Sequence, residues 1–175
     1  MFLGPNRAGH YTRLGAFKVF GAPVYVHWTV FGISTFALVI YLRQPIMVAI
    51  GLGAFFCIIF VHEFGHAWIA HRLGYRVFAL RIALFHGLCE FEAPHYEWDD
   101  VRIAWGGVLA QMVVAVLIFA ISFLGANQFA YFAPILMFLG RYNLWVIPWN
   151  LLPLPGLDGY KAWRIIPILR RKWRL

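Results

Sequence analysis

The segment Phe60–His66 reads FVHEFGH and follows the apolar run IMVAIGLGAFFCII. His62 and His66 are four residues apart, so a helix stacks both imidazoles on one face. Two imidazoles at that spacing can hold one zinc ion, and Glu63, next to His62, can reach and activate the zinc-bound water. Such a site needs a third protein ligand and leaves one coordination position open. A chain with seven histidines produces this spacing by chance fairly often. The glutamate and the apolar setting make coincidence a poor account, because ionisable residues in membrane-length segments are costly and mark function.

The third ligand has to come from elsewhere in the chain. Continuation of the motif as His-x-x-Gly-x-x-His is absent, since Ile69 and Arg72 stand at those positions. His71 lies off the shared face and reads as an interfacial histidine. Glu90 and Glu92 fall in a strand-like region, and His86 in a loop. Asp158 is the strongest candidate. It is the only acid after Asp100, and it follows an apolar, proline-broken stretch. A lone carboxylate near a membrane wants a partner, and a carboxylate with two histidines is ordinary zinc chemistry. The alternative for Asp158 is a helix cap beside Gly159.

These residues must be positioned by a chain that is 62% hydrophobic and 13% charged over 175 residues. A soluble domain of that size cannot hide so much apolar side chain. Several apolar runs approach the ~20 residues that cross a bilayer. The net charge of +8 raises nucleic acid as a partner. The distribution excludes it, because the basic residues lie at the ends and between apolar runs, as membrane proteins place them. The closing RRKWRL reads as an interfacial anchor on anionic lipid. Neither Cys57 nor Cys89 requires a disulfide. Residues 1–23, with Arg7, Arg13, Lys18 and spaced glycines, do not have the shape of a signal peptide, so the chain is expected to be retained whole.

The expected fold is an all-α polytopic membrane protein, with residues 1–175 as a single integral-membrane metalloprotease domain. Spans are predicted over 24–42, 46–72, 101–124 and 129–150. His27 and Trp28 mark an interface at the start of the first. Between the second and third, Phe78, Leu80, Ile82 and Leu84 alternate with other residues, and a period of two predicts a strand. With a turn at Gly87 and LCEFEA returning, this makes a membrane-associated β-hairpin. Asp99 or Asp100 would cap the next helix. Gly106 and Gly107 permit close helix packing, near Gln111. Pro153, Pro155 and Gly156 break the chain after the fourth span, and an amphipathic piece covers 160–172. The bias of Lys and Arg predicts a multi-pass protein of the cell's inner membrane with both termini cytoplasmic, and His62, Glu63 and His66 in the cytoplasmic half of the second span.

HEFGH at 62–66 together with NLLPLPGLDG at 150–159 resembles the site-2 proteases, the intramembrane zinc metalloproteases. FGAPVYVHWTV at 20–30 resembles the start of their first span, and RIALFHGLCEF at 81–91 looks like a degraded form of their membrane-associated strand region. The resemblance implies that His62, His66 and Asp158 match the ligands of one Zn2+ per chain. It implies that Glu63 matches the catalytic glutamate, and Asn150 an asparagine that holds the substrate backbone or its developing oxyanion. Pro153 and Pro155 match the prolines before the aspartate. Family members cut transmembrane helices of other membrane proteins, so such a protein is the expected partner. There are two departures: Gln111 where an asparagine is common, and Tyr160 where a small residue is common. The expectation is a minimal, bacterial-type member without the PDZ or regulatory domains that many relatives carry. The rival readings are an inactive scaffold that keeps its metal, supported only by Gln111 and Tyr160, and a small transporter. The sequence leaves the oligomeric state open.

Overall fold

The structure, a computed structural model, describes residues 10–172. It begins with strands β1 (Tyr11–Val19) and β2 (Ala22–His27), then helices α1 (Trp28–Ile40) and α2 (Pro45–Arg72). Strands β3 (Val77–Ile82) and β4 (Gly87–Phe91) lead to helix α3 (Glu97–Phe123). A 3-10 turn at Ala126–Gln128 precedes a rod made of α4 (Phe132–Ile135), a π-helical stretch (Leu136–Tyr142) and α5 (Asn143–Asn150). Two short helices follow, α6 (Asp158–Ala162) and α7 (Ile165–Lys172). Arg7 and residues 173–175 of the RRKWRL tail lie outside the described residues.

This is a mixed α/β architecture, which corrects the all-α, four-span expectation. The four strands form one sheet in the order β1-β2-β3-β4. The expected hairpin at 76–92 is only half of it. Residues 11–27 supply the other half. β1 and β2 pair antiparallel across Phe20 and Gly21, both at positive φ. Tight hairpin turns need that backbone, and asparagine or glycine normally signals it; phenylalanine at the first turn position hides the signal. Ala22–His27 then take the start of the first predicted span as strand. Hydropathy does not separate a short apolar strand from the first turns of a helix, but the Val24-Tyr25-Val26 content favours a strand. Helix α1 keeps 13 residues, capped by His27, whose Nδ1 accepts from the Thr29 amide. The fourth predicted span is interrupted by its π-helical middle. Among the described residues, only α2 and α3 are long and apolar enough to cross a membrane.

β2 and β3 run parallel, so α1 and α2 form the crossover between them. The crossover lays the second half of α2 on the sheet. Val24, Val77, Leu80 and Ile82 pack there with Ala67 and Ala70, and Ile103 of α3 joins them. Helix α2 stops where Gly74 takes φ +87°. The Gly74 and Tyr75 amides close back on the His71 and Ala70 carbonyls, an arrangement glycine favours after a helix. This stop fixes where β3 begins.

Helices α2 and α3 meet at Gly65 and Gly106. A Cβ on Gly65 would strike the Gly106 carbonyl, so the two backbones touch there. Elsewhere the helices face outward: 22% of the most apolar stretch of α2 and 28% of that of α3 are buried within the molecule. The core helix of a soluble protein would be mostly covered. Exposed Val113, Val116 and Phe123 continue this apolar surface on α3, which suits contact with lipid. Glu97, Asp99 and Asp100 occupy the first turn of α3, but the cap residue is Tyr96 and no side chain caps it. The acids instead face the positive end of the helix dipole, and Asp100 and Glu97 pair with Lys161 of α6, Arg164 between α6 and α7, and Arg171 of α7.

Candidate metal centre

The second half of α2 presents His62 and His66 one turn apart, with ring centroids 4.6 Å apart and planes nearly perpendicular. Both rings are buried. Each turns Nδ1 toward α3. His66 Nδ1 lies 2.7 Å from the Ile103 carbonyl oxygen, and His62 Nδ1 lies 3.1 Å from Gln111 Oε1. Between those two partners stands Gly107, where a Cβ would lie 2.6 Å from His66 Nε2. Ile103, Gly107 and Gln111 recur every four residues, so one face of α3 cradles both rings.

Asp158 completes the cluster from the far end of the chain. Its Oδ2 lies 2.7 Å from His62 Nε2 and 3.1 Å from His66 Nε2, and the two Nε2 atoms are 3.1 Å apart. When both Nδ1 atoms donate to oxygen, three lone-pair atoms converge. They repel one another unless a cation sits among them. Ligands about 2.0–2.1 Å from a tetrahedral zinc stand roughly 3.3 Å apart; the two 3.1 Å edges of this triangle are near that spacing and the 2.7 Å edge is shorter.

The loop and helix around Asp158 are pinned tightly. A Cβ on Gly159 would strike the Leu151 carbonyl, so α6 lies directly on the end of α5. Trp163 Nε1 donates to the Leu151 oxygen (2.6 Å), and Trp105 Nε1 of α3 donates to the Ala162 oxygen (3.2 Å). Lys161 pairs with Asp100 (2.8 Å), and Arg164 with Glu97 (2.7 Å).

Glu63, His62, His66 and Asp158 all line one cavity of about 380 Å³. Glu63 is buried, and Gly87 at the start of β4 leaves room for it: a Cβ there would strike the Glu63 carboxylate. β4 therefore runs past Glu63. Burial pushes the Cys89 thiol of that strand up, with the charges of Glu63 and Glu90 adding to the effect. Asn150, the last residue of α5, also lines the cavity, with Nδ2 3.5 Å from Gln111 Oε1.

The other sequence candidates lie apart from the cluster. His71 stacks on Phe20 at 4.6 Å. Glu90 pairs with Arg81 at 2.8 Å, and Glu92 accepts from the Arg76 amide. His86 is exposed on the cavity rim and is not in the three-residue cluster. The sequence marked Gln111 as a departure and Gly87 as the turn of the hairpin, and tied neither to the metal centre. It marked Gly107 as a packing residue, without the histidines. The four-residue spacing of Ile103, Gly107 and Gln111 was the signal available for the cradle.

A solved structure, the site-2 protease from Methanocaldococcus jannaschii, matches with a TM-score of 0.69 over 89% of this chain and 71% of that one, at 21% identity. The chain has that protease's fold. A curated zinc metalloprotease of the same organism is 26% identical over 153 residues, which is 86% of this chain. The chain spans 44% of that relative's length. No family model matches. The site-2 protease fold thus surrounds a cluster of buried His62 and His66 with partly buried Asp158, able to hold a metal ion.

Proposed function

We propose that this chain is an intramembrane zinc endopeptidase of the site-2 protease kind, cutting transmembrane segments of other membrane proteins. The observation that carries this reading is the convergence of His62, His66 and Asp158 in a cavity that Glu63 also lines. Both histidines and Glu63 ride on α2, a helix of membrane length.

His62 Nε2, His66 Nε2 and an Asp158 oxygen would hold one zinc ion per chain. When bound, zinc supplies Lewis acidity, polarising a carbonyl and making water nucleophilic near neutral pH. Glu63 takes the proton of the attacking water and hands it to the leaving amine. Asn150 offers an amide N–H to the substrate backbone or to the oxygen where negative charge develops. A substrate helix has to unwind, since its carbonyls are occupied by its own amides. The outer edge of β4, which passes Glu63, can take up the extended peptide as an added strand. Arg170 and Arg171 on α7, beside exposed Ile166 and Leu169, suit a membrane surface carrying anionic lipid.

The test is cleavage of a membrane-embedded helix by wild-type protein and by Glu63→Gln, with zinc measured in both. The variant should lose about 10²- to 10⁴-fold in rate and keep its zinc. A variant that still cleaves, or a wild type that never does, would defeat the reading.

A further inference from the structure

We propose that Gln111 is a positioning residue of the metal centre: its side-chain carbonyl selects the His62 tautomer that leaves Nε2 bare for the ion. The inference rests on the metal-centre reading above and extends it to α3.

The geometry admits two arrangements of a neutral His62. In one, the proton is on Nδ1 and is donated to Gln111 Oε1, 3.1 Å away. Nε2 is then a free donor toward a metal. In the other, the proton is on Nε2 and is donated to Asp158 Oδ2, 2.7 Å away. Nδ1 would then set its lone pair against Gln111 Oε1 at 3.1 Å, with only the longer 3.4 Å contact from Asn150 Nδ2 to serve it, unless the Gln111 amide turned its NH2 group around. The second arrangement satisfies the two side chains but removes a metal ligand. The neighbours decide between them. Asn150 Nδ2 lies 3.5 Å from Gln111 Oε1 and 3.4 Å from His62 Nδ1. An NH2 group there is served by the Gln111 carbonyl, whereas a turned Gln111 would set two NH2 groups against each other. Gln111 is 1% exposed, so water offers little substitute. Asn143 Nδ2 donates to the Gln111 backbone carbonyl (2.9 Å), tying this position of α3 to the π-helical rod. His66 needs no such selector, because its Nδ1 faces a backbone carbonyl, which can only accept.

Outer partners of metal-bound histidines act in this way elsewhere, and losing one weakens metal binding about 10- to 100-fold. The experiment uses the full chain in detergent, and its readouts do not depend on proteolysis. Zinc affinity is measured by chelator competition for wild type, Gln111→Met and Gln111→Glu. Methionine keeps the volume without the acceptor, and glutamate keeps the acceptor. Gln111→Met should bind zinc about 10- to 100-fold more weakly, and Gln111→Glu should recover most of that loss. In parallel, nitrogen-15 NMR of histidine-labelled, zinc-free wild type, at a pH where the rings are neutral, should show His62 protonated on Nδ1. That measurement holds even where Gln111→Met does not fold. Equal affinity in wild type and Gln111→Met, no recovery with Gln111→Glu, or a zinc-free His62 protonated on Nε2 would each overturn the inference and leave the protease reading standing. A wild type that binds no zinc takes down both.

Discussion

Gly107 on α3 stands directly against His66: a Cβ at this position would lie 2.6 Å from His66 Nε2, the atom that faces the cluster. The same methyl would lie 2.7 Å from His62 Cε1. Alanine favours a helix over glycine by about 1 kcal/mol, so Gly107→Ala should leave α3 helical while pushing both rings out of place. Zinc affinity should fall at least as far as for loss of an outer partner, about 10- to 100-fold. Metal content and far-UV circular dichroism on one preparation check this. Retained zinc in the variant would contradict the close contact.

The Gly65–Gly106 contact carries a prediction about stability. Valine at Gly65 must force the α2 and α3 backbones apart, because its Cβ meets the Gly106 carbonyl. Overpacking of that kind costs about 1–3 kcal/mol, occasionally more. Gly65→Val should therefore lower the detergent-phase melting temperature. Gly53→Val, where no atom lies within 4 Å of the Cβ site, serves as the control and should melt close to wild type.

Two acids separate the site from its surroundings. Asp158→Ala leaves His62 and His66 as the only members of the cluster, and zinc should be lost by more than about 100-fold, beyond the range for outer partners. Glu90→Gln should keep zinc. It breaks the 2.8 Å pair with Arg81, a partly buried cation that also lies over Tyr11 and Tyr25, and should cost about 1–3 kcal/mol of stability. Zinc titration and thermal unfolding of both variants distinguish the two roles. The reverse pattern would place the third ligand on β4.

Cys89 bears on β4. Its thiol is buried, and burial together with the Glu63 and Glu90 charges raises it above the ordinary thiol range. The reactive thiolate is correspondingly scarce at pH 8. Iodoacetamide should leave Cys89 unmodified in the folded protein for hours and alkylate it promptly after denaturation in dodecyl sulfate, read by peptide mass spectrometry. Prompt alkylation of the folded chain would mean that β4 swings away from α2.

Strands β3 and β4 were legible because apolar residues alternate from Phe78 to Leu84, a short-range pattern. Strands β1 and β2 were not. Their turn uses Phe20 at positive φ, and Val24–Val26 merge into a longer apolar run that hydropathy reads as helix. The rod from Phe132 to Asn150 looked like one span because composition carries no sign of a π-helical stretch. In the sequence Asn143 of that rod reads only as a polar interruption, like Arg141, and Gln111 of α3 only as an amide after Gly106 and Gly107. Their partners lie on other elements, and nothing local names them.

By itself the sequence determined the chemistry available on α2. The i, i+4 geometry of a helix places His62 and His66 together whatever surrounds them, and the adjacent Glu63 goes with them. It also determined that α2 and α3 are long and apolar enough to cross a membrane. Only the tertiary structure decided that Asp158, 92 residues from His66, reaches both rings, that α3 presents Ile103, Gly107 and Gln111 as their cradle, and that a four-stranded sheet supports α2. Those distances depend on where backbones can touch, at Gly65 against Gly106 and Gly159 against Leu151, and such contacts exist only once separate elements have packed.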